Sequence, residues 1–488
     1  MKKNICATIV MFIISAIFII TGCSPKGLSD NPATNAQVIS NGGMTVVKGD
    51  YLYYVNGMIS DVKTLDPKYD NKEGKVTHSA IYRTKLVDGE VVKNDEGFLE
   101  KSERVVSRVV GFKNGGFYII DDYIYYATPN MNLDKSGNPQ TERVVFHKVK
   151  IDGTEDKEIY STPVAESDLD WTCYKVGGKV YLLVYLASSE QTIVSIDTAE
   201  KKTVAEIKNV TSYAFYDEVN YDADKSRDNN AQKFVYYTIN STADDKLPAN
   251  YKGNIIARFN VSNGNVEKLT TDNESTYTIK DINSSNIYYT RSFSRGSQTS
   301  LALLYRQGVA SWDYQNEVKM SNSAFTNYYI CDFGNDLFVG TTDNATYRVM
   351  KNGAGDITET KIFASSQNIL GIYAGYGYYA VEKVIHRFDI IDGEITDGVI
   401  ADELASDDTR TMLVDSANYL DFDNQRLYVF TTYKSAVDDS ENYYMNFVEP
   451  NSYDQKFVGV FEDDHLPEEP EEEDTDGDGV KENIPHVK

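Results

Sequence analysis

The sequence predicts an all-β chain, a β-propeller of about eight, alternatively seven, four-stranded blades. Three observations predict it. Tyrosine is abundant, 37 of 488 residues, and proline is scarce at 11; Tyr, Val, Ile, Thr and Phe favour strands. No long stretch carries the 3.6-residue apolar period of an amphipathic helix. From about residue 37 to 461 one theme recurs: a polar turn, an aromatic strand, a variable loop, then a second strand that usually ends in a Gly-containing turn.

The chain opens with Lys2 and Lys3, then an uncharged apolar stretch from Ile5 to Ile20, then Thr21-Gly22-Cys23. That order is an n-region, an h-region and a small-residue cleavage site. Ile20-Thr21-Gly22-Cys23 resembles the lipobox of bacterial lipoproteins. The resemblance implies a signal peptide over 1–22 and a mature N-terminus at Cys23 that is diacylated with palmitate-type chains. Two acyl chains anchor stably where one is marginal. The expected location is the extracytoplasmic face of a bacterial cell membrane. Residues 23–36, rich in Ser, Pro, Gly and Asn, read as a polar tether.

The propeller is expected over 37–461. Its aromatic strands begin near residues 50, 122, 177, 233, 286, 335, 377 and 425, about 54 residues apart. That spacing suits one four-stranded sheet per unit, and radial repetition of such sheets leaves only short, protected edges. Sharing of the first and last units in ring closure would make seven. The first unit is long because it holds a polar insertion over 61–74. The partner strands end at Asp88-Gly89, Asp152-Gly153, Asn263-Gly264, Asn352-Gly353 and Asp392-Gly393. Such pairs between apolar runs signal hairpins, because the turn needs positive φ. Ile-Tyr-Tyr strands followed by Tyr-Arg-x-x-x-x-Asp-Gly resemble, over about 40–450, bacterial lipoproteins with a Tyr-rich propeller domain of unknown function. That domain is distantly similar to the YWTD propellers of lipoprotein receptors, although Trp-Thr-Asp is absent here. The resemblance implies a fold and carries no catalytic residue.

Without the signal, 46 basic residues face 74 acidic ones, a net charge of −28. Phosphate binding needs Lys/Arg patches, so nucleic acid is not an expected partner. The mature chain has only Cys173 and Cys331 besides Cys23, expected as buried free thiols, with one disulfide left open. Residues 462–488 read as an acidic disordered tail. Within it Asp474, Asp476, Asp478, the Val480 carbonyl and Glu482 fit positions one, three, five, seven and nine of a calcium loop, with Gly479 at position six. The closing position is Pro485, so no cofactor is required and calcium is allowed at the tail.

No G-x-S-x-G, H-E-x-x-H or phosphate-loop signature occurs. Gly375-Tyr376-Gly377-Tyr378-Tyr379-Ala380 fits G-x-G-x-x-A but runs into a strand, which reads as a blade hairpin. Most paired tyrosines read as inter-blade packing. Tyr69, Tyr328, Tyr329, Tyr433, Tyr443 and Tyr444, outside the repeated strands, are candidates for a ligand-stacking rim. Trp171 and Trp312 are expected in structural roles. The resulting expectation is a membrane-anchored binding module for an envelope protein or glycan. The alternative is a glycan-active hydrolase or lyase with carboxylates at the central channel.

Overall fold

The structure, a computed structural model, describes residues 27–39, 42–56, 80–93, 99–110, 115–138, 140–166, 169–216, 220–221, 233–240, 254–270, 274–295, 297–309, 312–331, 336–373, 375–381, 384–390, 399–401, 410–422, 427–435, 441–448 and 455–457. Eight antiparallel sheets follow one another along the chain. Blade 1 is Thr45–Lys48, Tyr51–Asn56, Ala80–Lys85 and Glu103–Val106; blade 2 is Phe117–Ile120, Tyr123–Pro129, Val144–Lys150 and Lys157–Ser161. Blade 3 is Asp170–Val176, Lys179–Leu186, Thr192–Asp197 and Lys202–Ile207; blade 4 is Val210–Ala214, Phe234–Asn240, Asn254–Asn260 and Val266–Lys268. Blade 5 is Ser275–Ile282, Asn286–Arg295, Leu303–Gly308 and Val318–Lys319; blade 6 is Asn327–Ile330, Asp336–Thr342, Ala345–Lys351 and Ile357–Phe363. Blade 7 is Asn368–Tyr373, Tyr376–Val381, Val384–Asp389 and Val399–Ala401; blade 8 is Arg410–Phe422, Leu427–Ser435, Glu441–Val448 and Gln455–Phe457.

The eight units legible in the sequence are these eight blades. Among the described residues blades 1 and 8 each draw their four strands from consecutive segments, with no sharing between chain ends of the kind that would give seven. The aromatic strand of each unit is the second of its blade, and its Asp-Gly-terminated partner is the third. First strands lie against one another in successive blades (1 with 2, 2 with 3, 4 with 5, 6 with 7, 7 with 8), so they converge on the axis. Fourth strands vary in exposure: Val266–Lys268 of blade 4 is exposed throughout, while Val105 and Val106 of blade 1 are buried. Second strands are covered on both faces by neighbouring blades, as in the fully buried Tyr51–Asn56. Stacking on both faces is why they carry runs such as Tyr-Leu-Tyr-Tyr rather than polar alternation.

The connections sort onto two faces. Turns joining first to second and third to fourth strands form one, here the turn face. Loops joining second to third strands, and blade to blade, form the other, the loop face. On the turn face the Asp-Gly signals divide. Asp88 and Gly89 both have positive φ (53° and 81°) within a two-residue hairpin closed by Val87 and Glu90. Asp152 and Asn352 instead accept hydrogen bonds from the backbone two residues on, and the positive φ falls on Gly153 and Gly355. Asp392-Gly393 lies outside the described residues. Gly375, with φ of 88°, turns the first hairpin of blade 7, as expected for the G-x-G-x-x-A match.

Two features were not legible. Val38–Ile39 adds a strand to the inner edge of blade 1, and Asn220–Tyr221, from the first-to-second connection of blade 4, pairs onto it. Added at an axis-facing edge, these strands stand in the channel near its turn-face end. The second is a correction: residues 27–36, expected as free tether, are docked. Leu28 N–H donates to Asp152 O at 2.9 Å and Gly49 N–H to Gln37 O at 2.9 Å. Polar composition suggested solvation, but these polar groups find partners on blades 1 and 2.

Candidate functional site

A cleft among the described residues lies between blades 2 and 3 and opens toward the loop face. Its volume is about 370 Å³, within the range of small-ligand sites. One wall is Tyr160 and Pro163 from the outer end of blade 2; the other is Leu186, Thr192, Val194 and the fourth strand of blade 3, with Ser189 and Glu190 at the loop. The loop Ala187–Gln191 is sharp because Glu190 and Gln191 both adopt positive φ (54° and 51°). Lys208 at the mouth pairs with Glu190 at 2.7 Å and approaches Glu206 at 3.6 Å.

Behind the Ser188–Ser189 wall lies Glu166, on the connection from blade 2 to blade 3. It is 1% exposed. Ser188 N–H donates to its Oε2 at 2.9 Å, and its own N–H is held by Glu142 O at 3.1 Å. Glu166 Oε1 and Ser189 Oγ are buried with no hydrogen-bond partner. A buried oxygen without a donor costs about 1–3 kcal/mol, so this corner favours a donor-bearing ligand or an ordered water. Burial, then the charges of Glu206 and Glu166, push the Tyr160 phenol up to about 12. The ring therefore stays neutral, a flat apolar and hydroxyl-tipped face of the kind on which sugars or partner side chains stack.

The rim tyrosines are placed differently from the expectation. Tyr328 and Tyr329 lie in the first strand of blade 6 and turn to opposite faces. Tyr328 packs at 5.8 Å from Phe338 and accepts a hydrogen bond from Phe325 N–H at 3.1 Å; Tyr329 packs against the cluster of Cys331 and Val339. Burial raises both phenols. Tyr433 lies in the second strand of blade 8, opposite Asn442, and Tyr443 and Tyr444 lie in the third, opposite Thr432 and Thr431. All five therefore belong to blade strands. Tyr69, Cys23 and the calcium-loop positions Asp474, Asp476, Asp478, Val480 and Glu482 lie outside the described residues.

Other candidates resolve into packing. Trp171 is buried between blades 2 and 3, edge-on to Tyr118 and Phe146 at 5.1 and 5.3 Å. Trp312 packs on Tyr289 at 5.5 Å. His147 stacks on Tyr126, with Nδ1 2.9 Å from Asp156 Oδ1. His386 repeats that stack on Tyr379 in blade 7. Cys173 and Cys331 are free and buried. Among the described residues no three of His, Cys, Asp and Glu converge as metal ligands, and no helix is long and apolar enough to cross a membrane. Glu166 and Ser189 had no signal in the sequence beyond the turn-forming Ser-Ser-Glu-Gln, because acids are common throughout.

No protein-family model matches the chain, and no curated protein does. Among solved structures it is similar to a prolyl endopeptidase, 14% identical with a TM-score of 0.44, over 70% of this chain and 47% of that one. The chain thus spans about half the endopeptidase's length. It is also similar to the β-propeller domain of the trilobed protease from Pyrococcus furiosus, 10% identical with a TM-score of 0.36, over 86% and 95% of the two chains. TolB from Acinetobacter baumannii is similar at 11% identity and a TM-score of 0.27, over 56% and 62%. The fold assignment rests on the eight sheets themselves.

Proposed function

We propose that this propeller is a lipid-anchored binding module on the extracytoplasmic face of a bacterial membrane, and that its ligand is an envelope protein or glycan. The observation that carries the reading is the cleft between blades 2 and 3. It sits on a rigid scaffold, opens toward the loop face, offers a tyrosine wall, and is lined by Ser189, whose buried hydroxyl lacks a partner. Loops on a rigid scaffold are the usual seat of binding. Of the two unpartnered groups, Ser189 lines the cleft, and its hydroxyl is the one a ligand's polar group would meet. Calcium at the tail motif is part of the same proposal, as a weak extracellular-type site.

The test is retention of the mature protein on separated envelope glycan and envelope protein fractions, alongside Tyr160→Ala and Glu166→Gln variants. Retention on one fraction, weakened about tenfold by Tyr160→Ala, equivalent to about 1.4 kcal/mol, is the expected result. Depolymerisation of the glycan by the wild type would replace this reading with the hydrolase or lyase alternative.

A further inference from the structure

We propose that residues 27–37 form a clasp that decides which face of the propeller meets the membrane, holding the turn face toward the lipid surface and presenting the loop face outward. The inference rests on the lipid-anchored reading above. The clasp is built from contacts to two blades. Arg83, whose side chain is fully buried, donates to Asn31 Oδ1 and, at 2.7 Å, to Ser29 O. Asp30 accepts from Lys85 at 2.8 Å and from Tyr51 at 3.0 Å. Thr34 Oγ1 donates to Asp122 at 2.8 Å, and Lys48 Nζ donates to Thr34 O at 3.0 Å. Asp152 and Asp122 belong to turn-face turns of blade 2, and Lys85, Lys48 and Gly49 mark the turn-face ends of blade 1 strands. A segment held on two blades cannot swivel about one.

Chain reach turns this contact set into an orientation. A free tether from Cys23 to residue 36 would span up to about 45 Å at about 3.4 Å per residue, enough to let either face approach the bilayer. With residue 27 docked beside Asp152, only four residue steps remain, at most about 14 Å. A blade strand of six or seven residues is about 20 Å long. The turn face then lies near the lipid and the loop face, with its cleft, beyond the thickness of the disc.

The experiment uses the full lipidated chain on vesicles that carry a headgroup-attached fluorescence quencher. Cys173 and Cys331 are buried, so an introduced thiol takes the label. Glu90→Cys and Glu200→Cys report the turn face; Lys135→Cys and Asn344→Cys report the loop face. Loss of most fluorescence at the first two with little change at the second two is expected. Arg83→Glu should even out the four; Asp30→Ala with Thr34→Ala is the milder second variant should the first not fold. Equal quenching at all four sites, with the protein bound to vesicles, would overturn the clasp alone. Failure to bind vesicles, equal to that of Cys23→Ser, would overturn the anchored reading and the clasp with it.

Discussion

At the scale of single residues, Arg83 shows why the repeat pairs Tyr with Arg. It stands opposite Tyr53 on the second strand of blade 1 and opposite Glu103 on the fourth. Its Nε donates to Glu103 at 2.9 Å, and its guanidinium lies 4.9 Å from the Tyr51 ring. Arg258 repeats the arrangement in blade 4, donating to Glu267 at 2.9 Å and to the Tyr236 hydroxyl at 3.0 Å. A buried cation is tolerated because each of the three guanidinium nitrogens meets an acceptor. Glu103 remains 43% exposed, which discounts the loss on removing its partner; Arg83→Ala should cost about 2–3 kcal/mol, read as a lowered denaturant midpoint. Asp156 gives a pH prediction. Burial disfavours its charge, but His147 and Arg108 outweigh that and hold the carboxyl below its ordinary 3.8. A depressed folded value stabilises above the unfolded pKa and is lost as pH falls through the folded one. Stability should therefore drop below about pH 4, and Asp156→Asn should flatten that part of the profile, seen in thermal melts from pH 2.5 to 6.

At the scale of elements, the turn glycines do two things at once. Gly153 has φ of 82°, and a Cβ there would lie 2.9 Å from Val105 O in the fourth strand of blade 1. Gly264 has φ of 73°, and its Cβ would lie 2.7 Å from Val204 O in the fourth strand of blade 3. In both, the turn after the third strand leans on the outer strand of the preceding blade. Gly355 has φ of 95° and open space around it. Gly355→Ala should thus cost only the left-handed backbone, about 1–2 kcal/mol, while Gly153→Ala and Gly264→Ala should cost more because backbone must shift as well. Unfolding midpoints of the three variants, measured side by side, check the ranking.

At the scale of the whole molecule, blades 3 to 7 are each held to the next by hydrogen bonds across the stack. Ser195 Oγ donates to Val261 O at 3.0 Å and Tyr236 to Val309 O at 2.8 Å. Arg306 reaches Asp336 at 2.8 and 2.9 Å, and Arg348 reaches Ile390 O at 2.6 Å. These links step from blade 3 to 4, 4 to 5, 5 to 6 and 6 to 7. No blade buries its faces without neighbours, so the disc should lose its cores together. Cys173, in the core between blades 2 and 3, and Cys331, between blades 6 and 7, are built-in reporters; burial pushes the Cys331 thiol up to about 12. In a chain beginning at Ser24, which lacks both Cys6 and Cys23, both should resist a thiol reagent in the native state. Both should become reactive at the same denaturant concentration, giving two thiols per chain.

The sequence by itself determined what is local and periodic. Tyrosine-rich strands at intervals near 54 residues specify the second and third strands of eight blades, because a strand buried on both faces must be apolar and aromatic along its length. The bland reading of Trp171, Trp312 and most tyrosines followed from the same constraint. First and fourth strands escaped it: one is broken by register shifts at the axis, the other half-solvated at the rim, so neither carries a distinctive pattern. Tertiary structure alone decided the rest. Glu166 became a candidate because two loops close over it, and burial of an acid leaves no mark on the residues around it in the chain. Tyr328 and Tyr329 are partly buried against the cores beside blade 6 because neighbouring blades stack on that strand. Residues 27–36 became a clasp because Arg83, Lys85 and Asp152 were waiting on folded blades, and contacts between positions tens of residues apart exist only once the chain has closed on itself.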